Sequence, residues 1–188
     1  MWLNSARAHS ALMADRNPMA DLKAIEIMLI DDNRQMRAIT AAILQAAGCR
    51  MIREMGDGAA ALQSLHQKRV DLAIVDFNMF PLDGVAFTRL VRNSADSVDP
   101  FLPIIMMTGH SAKHRVMEAR DAGVTEFVTK PFTPKALLDR IHAVIQNPRP
   151  FVRTEGYFGP DRRRRPLPGY AGPLRRASDR ESVVYLPE

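Results

Sequence analysis

The chain has 188 residues, 46% hydrophobic and 25% charged, which are proportions of an ordinary globular protein with room for one domain and flanking segments. Composition excludes a wholly disordered chain, a collagen and a coiled-coil rod, and no apolar run approaches a membrane span. Charge divides unevenly: residues 25–146 carry 14 Lys+Arg against 14 Asp+Glu, while 147–188 carry nine Arg against five acids.

The first 24 residues show no periodic pattern and are expected to be a disordered extension, with Met13 and Met19 as alternative starts. They lack the basic start and continuous apolar stretch of a secretory signal. Cys49, the single cysteine, cannot close an internal disulfide. Both features lead us to expect a cytoplasmic protein.

From residue 25 onward, short β-type runs alternate with helical patterns. Residues 25–30, 70–75 and 103–107 are nearly continuous apolar runs, as expected of strands covered on both faces. Residues 124–128 form another, and 50–55 a more polar one. Between them, Met36, Ile39, Ile43, Leu44 and Ala47 give an apolar helical stripe, with Gly48 placed to cap it. Further stripes are Ala59, Leu62 and Leu65; Val85, Phe87, Leu90 and Val91; and Val116 and Ala119 before Gly123. The last is Ala136, Leu137, Ile141 and Ile145, opened by Thr133 and Pro134 at the cap and first helical position. Five strand–helix units in 25–146 predict one doubly wound α/β domain.

In a parallel α/β sheet, ligands bind beyond the carboxyl ends of the strands. The first strand ends in Asp31-Asp32, the third in Asp76, the fourth in Thr108 and the fifth in Lys130-Pro131. Taken singly, each residue has an ordinary role as a cap, a turn or a solvated charge. Jointly they predict three carboxylates, a hydroxyl and an ammonium converging at one place. Clustered carboxylates repel unless a cation shares them, and an oxygen-only set suits Mg²⁺. A metal, a lysine and a nucleophilic carboxylate together fit phosphoryl transfer.

The segments Leu29-Ile30-Asp31-Asp32-Asn33, Val75-Asp76-Phe77-Asn78-Met79 with Asp83-Gly84, Met107-Thr108-Gly109 and Lys130-Pro131-Phe132 occur in that order. With these motifs, residues 25–146 resemble the receiver domain of bacterial two-component response regulators. The resemblance implies a flavodoxin-like, five-stranded parallel sheet in the order 2-1-3-4-5, flanked by five helices. It implies that Asp76 accepts a phosphoryl group from a sensor histidine kinase or a histidine phosphotransfer protein. Asp31, Asp32, Asp76 and the backbone carbonyl of Asn78 would hold Mg²⁺, Asp31 chiefly through water. Lys130 would pair with a phosphate oxygen, its peptide bond to Pro131 being cis. Thr108 and Phe127 would act as the switch, coupling phosphorylation to the face of the fourth helix, fifth strand and fifth helix. That face would meet a downstream protein, the chain being a monomer or a phosphorylation-dependent dimer.

The sequence departs from the family in one loop. The proline usual four residues after the acceptor is Phe80 here, and Pro81 follows. His110, two residues past Thr108, stands where the family tunes the lifetime of the aspartyl phosphate; an exposed loop histidine is the plainer reading.

Residues 147–188 are expected to be a disordered Pro/Arg-rich tail, since their own apolar content cannot sustain a fold. They hold an internal echo, Gly156-Tyr157-Phe158-Gly159-Pro160-Asp161-Arg162-Arg163 and Gly169-Tyr170-Ala171-Gly172-Pro173-Leu174-Arg175-Arg176. Arg162, Arg163, Arg164 and Arg165 offer a contact for an acidic partner, or for nucleic acid in an alternative reading where phosphorylation gates the tail. A phosphatase of the haloacid-dehalogenase type also uses an aspartyl nucleophile, but needs an acid two residues later, where this chain has Asn78. The expectation is therefore a stand-alone receiver acting through protein contacts. It is not expected to turn over a diffusible substrate.

Overall fold

The structure is a computed structural model, describing residues 21–109, 113–162 and 183–185. Five strands pair in parallel in the order β2-β1-β3-β4-β5: β1 Glu26–Ile30, β2 Met51–Met55, β3 Leu72–Asp76, β4 Ile104–Thr108 and β5 Glu126–Thr129. Between and after them run α1 Arg34–Ala46, α2 Gly58–Gln67, α3 Gly84–Asn93, α4 Lys113–Ala122 and α5 Pro134–Gln146. This is the doubly wound α/β domain expected from the strand–helix alternation, in the flavodoxin-like strand order that the resemblance implied. Among the described residues, no helix is long and apolar enough to cross a membrane.

The central strands are apolar on both faces because helices cover both. Ile27, Leu29, Ile74, Ile105 and Met107 pack with Leu44, Leu137 and Ile141 on one side. Met28, Ile30, Ala73, Val75 and Ile104 pack with Leu65, Phe87 and Val91 on the other. Each polar loop crossing the carboxyl ends of the strands then becomes a helix start. Asn33 accepts from the backbone N–H groups of Gln35 and Met36, Asp83 from Ala86, and Thr133 from Ala136, so the site end of the sheet is rimmed by capped helix N-termini.

Three helical stripes differ from their prediction, since Ala59 in α2 and Leu90 in α3 are exposed, and α1 shows the reason. Ile39 in α1 is exposed, and Thr40 is buried instead, its hydroxyl donating to the carbonyl of Met36. A hydroxyl satisfied within its own helix can face the core, so polarity alone misjudged the inward face.

Folded structure also continues past both expected boundaries. Leu22, within the short 3-10 turn Asp21–Lys23, is buried in the core. After α5, β6 Phe151–Thr154 and β7 Tyr157–Pro160 form an antiparallel hairpin, with β8 Val183–Tyr185 on the other edge of β6. The expectation that 147–188 is disordered is thus corrected for 147–162. Phe151 and Phe158 are buried against Phe101 in a three-ring cluster with centroids 5.1–5.6 Å apart. The segment lacks apolar surface of its own, but it borrows that of the loop entering β4. Arg163, Arg164, Arg165 and the second copy of the repeat lie outside the described residues, as do residues 1–20 and His110.

The hairpin seats at the amino ends of β4 and β5. Arg149 donates to the carbonyls of Thr125 and Asp161. The fully buried Arg92 donates from Nε to the carbonyl of Gly123 at 3.0 Å and from Nη1 to that of Pro100 at 2.8 Å, with its guanidinium 5.1 Å from the Phe151 ring. Gly123 adopts φ +99°, and a Cβ on Gly159 would lie 2.8 Å from its Cα. Two glycines therefore permit the backbone approach on which the hairpin rests.

Candidate functional site

β1 and β3 lie side by side in register, Ile30 opposite Val75, so the residues that end them emerge together. Asp31, Asp32 and Asp76 each offer a carboxylate oxygen within 4.8 Å of the others. Asp31 is fully buried and Asp76 nearly so, whereas Asp32 is exposed. β5 delivers the cation: Lys130 Nζ sits 2.8 Å from Asp31 Oδ2 and 2.8 Å from Asp76 Oδ1. The Lys130-Pro131 bond is cis, as is Phe80-Pro81. Thr108 is buried at the end of β4, whose Met107 is in register with Asp76.

The backbone holds this arrangement. Phe77 N–H donates to the Met107 carbonyl, Lys130 N–H to the Thr108 carbonyl, and Gly84 N–H to the Phe77 carbonyl. A Cβ on Gly84 would run into the carbonyl oxygen of Asp76, so the first turn of α3 presses against the end of β3 only because that residue is glycine. Asp31 Oδ1 accepts from the N–H of Asn33, and Asp32 Oδ2 from the N–H of Phe80 at 3.2 Å. The reshaped loop thus leaves the Phe80 ring in solvent, 83% exposed, while its backbone braces one carboxylate.

Electrostatics follow from burial and crowding. Burial pushes the Asp76 carboxyl above the ordinary aspartate range, and the nearby charge of Asp31 adds to the rise. The hydrogen bond and charge of Lys130 oppose it without cancelling it. For Lys130, burial works against the ammonium, but Asp31 and Asp76 together overcome that and raise its pKa above the usual lysine value. Three carboxylates and one ammonium leave a formal excess of two negative charges. All-oxygen donors carrying that excess fit a hard divalent cation such as Mg²⁺.

Thr108 and Phe127 stand on neighbouring strands, Thr108 opposite Thr129 and Phe127 opposite Met106. Phe127 is half-buried and packs against the cluster that holds Phe77, Val85, Met106 and Ala119. Asn78 is exposed beyond the end of β3. Arg162, from the predicted arginine run, lies at the other end of the molecule, 3.0 Å from Asp121 and with its guanidinium 4.2 Å from the Tyr157 ring.

Two site arginines escaped the sequence reading. Arg37 Nη1 donates to the Asp31 carbonyl at 2.6 Å, and its Nε meets Glu54. Arg115 Nη2 donates to Asn78 Oδ1 at 2.9 Å. Both are helix residues whose targets lie on other elements, and no local pattern marks such a reach.

A doubly wound sheet with an acid cluster and a lysine beyond its carboxyl ends is the arrangement that the sequence resemblance implied. The family model for the response regulator receiver domain matches residues 27–142. The chain is 34% identical to the chemotaxis protein CheY of Pseudomonas aeruginosa over 122 residues, 65% of this chain and 97% of that protein. It is 30% identical to CheY-3 of Vibrio cholerae over 124 residues, 66% of this chain and 94% of that protein. Among solved structures, Vibrio cholerae CheY4 aligns with a TM-score of 0.59 and 31% identity, covering 64% of this chain and 98% of that one. The receiver domain of the sensor histidine kinase PA1611 from Pseudomonas aeruginosa, with a magnesium ion coordinated in its active-site cleft, aligns with a TM-score of 0.57 and 29% identity, covering 64% and 96%. The chain belongs to the response regulator receiver family of two-component signalling.

Proposed function

We propose that Asp76 is the phosphoacceptor of a Mg²⁺-dependent receiver charged by a sensor histidine kinase or a histidine phosphotransfer protein. The observation that carries this is the Lys130 ammonium, held 2.8 Å from both Asp31 and Asp76 within a cluster of three carboxylates. Asp31, Asp32, Asp76 and the carbonyl of Asn78 would hold Mg²⁺, which supplies positive charge to phosphoryl oxygens when bound. Asp76 attacks phosphorus in line; its new O–P bond replaces the N–P bond of the phosphohistidine, and the imidazole leaves with the electron pair. Lys130 exchanges its Asp76 contact for a phosphoryl oxygen, keeping Asp31 as its second anchor. Thr108, buried one strand away, donates its hydroxyl to the same group.

Burial and the charge of Asp31 hold the Asp76 carboxyl above the ordinary aspartate range, a crowding that a bound divalent cation would relieve. The chain performs its own phosphorylation and dephosphorylation and has no diffusible substrate to turn over. Its site of action is the cytoplasm, and its output passes through protein contacts at the α4–β5–α5 face, with Thr108 and Phe127 as the switch. The alternative, an arginine tail binding nucleic acid, gains little from the geometry, since Arg162 is already engaged by Asp121 and Tyr157.

Intact-mass spectrometry after incubation with Mg²⁺ and acetyl phosphate tests the assignment. One phosphoryl group added to the wild type, and none to Asp76→Asn, is the expected result. Equal uptake by the variant would remove Asp76 from the role.

A further inference from the structure

α4 is poorly anchored by apolar packing. Its sequence, Lys113 to Ala122, places Ala119 and Ala122 in the core while Met117 stays 45% exposed. Arg115, on its first turns, nevertheless reaches across to the two residues that follow the acceptor. Its guanidinium lies 4.3 Å from the centroid of the Phe77 ring, and Nη2 donates to Asn78 Oδ1 at 2.9 Å.

The two residues it grips differ in how firmly the rest of the fold holds them. Phe77 is 2% exposed, with its N–H bonded to the Met107 carbonyl and its carbonyl accepting from Gly84. Asn78 is exposed, between buried Phe77 and Met79. A planar guanidinium can stack on the fixed ring and spend one N–H on the less constrained amide, which lysine cannot do in one geometry. Phe77 serves as the platform, and Asn78 is what gets positioned.

We infer that Arg115 is a positioning residue for the metal site: it acts through Asn78, holding that peptide so that its carbonyl faces the carboxylate cluster before the cation arrives. The inference rests on the reading that this cluster takes Mg²⁺ with the Asn78 carbonyl as a ligand. A ligand already aimed costs less reorganisation on binding than one that must be ordered, which is how groups outside a coordination sphere raise affinity. Arg115 sits on α4, so the same contact ties the acceptor loop to the helix that continues into Asp121 and the hairpin contact of Arg162.

The test is a Mg²⁺ titration of the full chain by calorimetry, with phosphoryl uptake from acetyl phosphate measured at limiting and saturating Mg²⁺. Arg115→Ala is expected to weaken Mg²⁺ binding about tenfold, the low end for a supporting group, and to slow uptake at limiting Mg²⁺ but not at saturation. Asn78→Ala should cause a loss of similar size, and the double variant should add nothing to it, since both remove one linkage. Arg115→Lys, keeping a donor but losing the planar stack, should recover only part. A purely structural Arg115 would lower the melting temperature without changing Mg²⁺ affinity, and that outcome overturns the inference while leaving Asp76 as acceptor. Additive losses in the double variant overturn the route through Asn78. A wild type that binds no Mg²⁺ and takes up no phosphoryl group overturns this inference and the receiver function together.

Discussion

The two ends of the parallel sheet solve opposite problems. At the carboxyl ends, acids are gathered and only partly neutralised: Asp31, Asp32 and Asp76 share one lysine. At the amino ends of β4 and β5, an arginine is buried and bonded through two of its three nitrogens. Arg92 is 1% exposed, spends two donors on carbonyls and lies over Phe151. Burial lowers its pKa to about 10, with Asp99 opposing the shift, so it remains charged at neutral pH. The first end keeps an excess of negative charge that a cation can use. The second has consumed its polarity in fixing the hairpin, and it is scaffold.

Variants can break that contrast, and the largest effect is expected at the hairpin. Phe158→Ala removes the ring that meets both Phe101 and Phe151, at a cost of about 3 kcal/mol. Hydrogen exchange should accelerate in β6 and β7 and leave β3 protected, with phosphoryl uptake retained. Equal acceleration in both places would make the hairpin part of a single cooperative unit with the sheet.

Next in size is the response to metal. Mg²⁺ at a hundredfold excess over its dissociation constant should stabilise the wild type by about 2.7 kcal/mol, read as a rise in melting temperature that EDTA reverses. Asp32→Asn should lose most of that rise, and Arg92→Met none of it. An unchanged rise in the Asp32 variant would move the cation elsewhere.

The sign of a third effect follows from Asp76. Its folded pKa lies above the ordinary value of 3.8, so folding favours the protonated carboxyl. That contribution is present below the unfolded pKa and lost as pH climbs through the folded one. In metal-free protein near neutrality, Asp76→Asn should therefore melt above the wild type, and the gap should close in acid, on approach to the unfolded value. A variant less stable at neutral pH would mean that the Lys130 contact outweighs the strain of the crowded carboxylates.

The smallest effect belongs to Arg162. Its ion pair with Asp121 is partly open to solvent, with side chains 27% and 50% exposed, so screening limits the pair to about 1 kcal/mol or less. Arg162→Ala should lower the melting temperature slightly at low salt and negligibly at high salt. A loss independent of salt would assign the stabilisation to its stacking on Tyr157.

These two ends were not equally legible before folding. Asp31, Asp32, Asp76, Thr108 and Lys130 stand at strand-to-loop steps, and a doubly wound sheet brings every such step to one edge. Their convergence followed from position along the chain. The helix start at Thr133 was local in the same way, because a cap acts within three residues. Ile39 and Thr40 were not, since which side of α1 turns inward depends on how it lies against β1 and β2.

The sequence by itself determined the five strand–helix units, their caps and the chemistry at the strand ends, because period, cap and end residue are properties of short stretches of chain. Tertiary structure alone decided that 147–162 folds back as a hairpin, that Arg92 is buried beneath it and that Arg37 and Arg115 reach Asp31 and Asn78. In each case the stabilising surface belongs to a distant segment: Phe101 for Phe151 and Phe158, Gly123 for Arg92, Asp31 for Arg37, Asn78 for Arg115. Apolar area and hydrogen-bonding partners lent across the fold are invisible to any window of sequence, since burial is a property of both surfaces that meet.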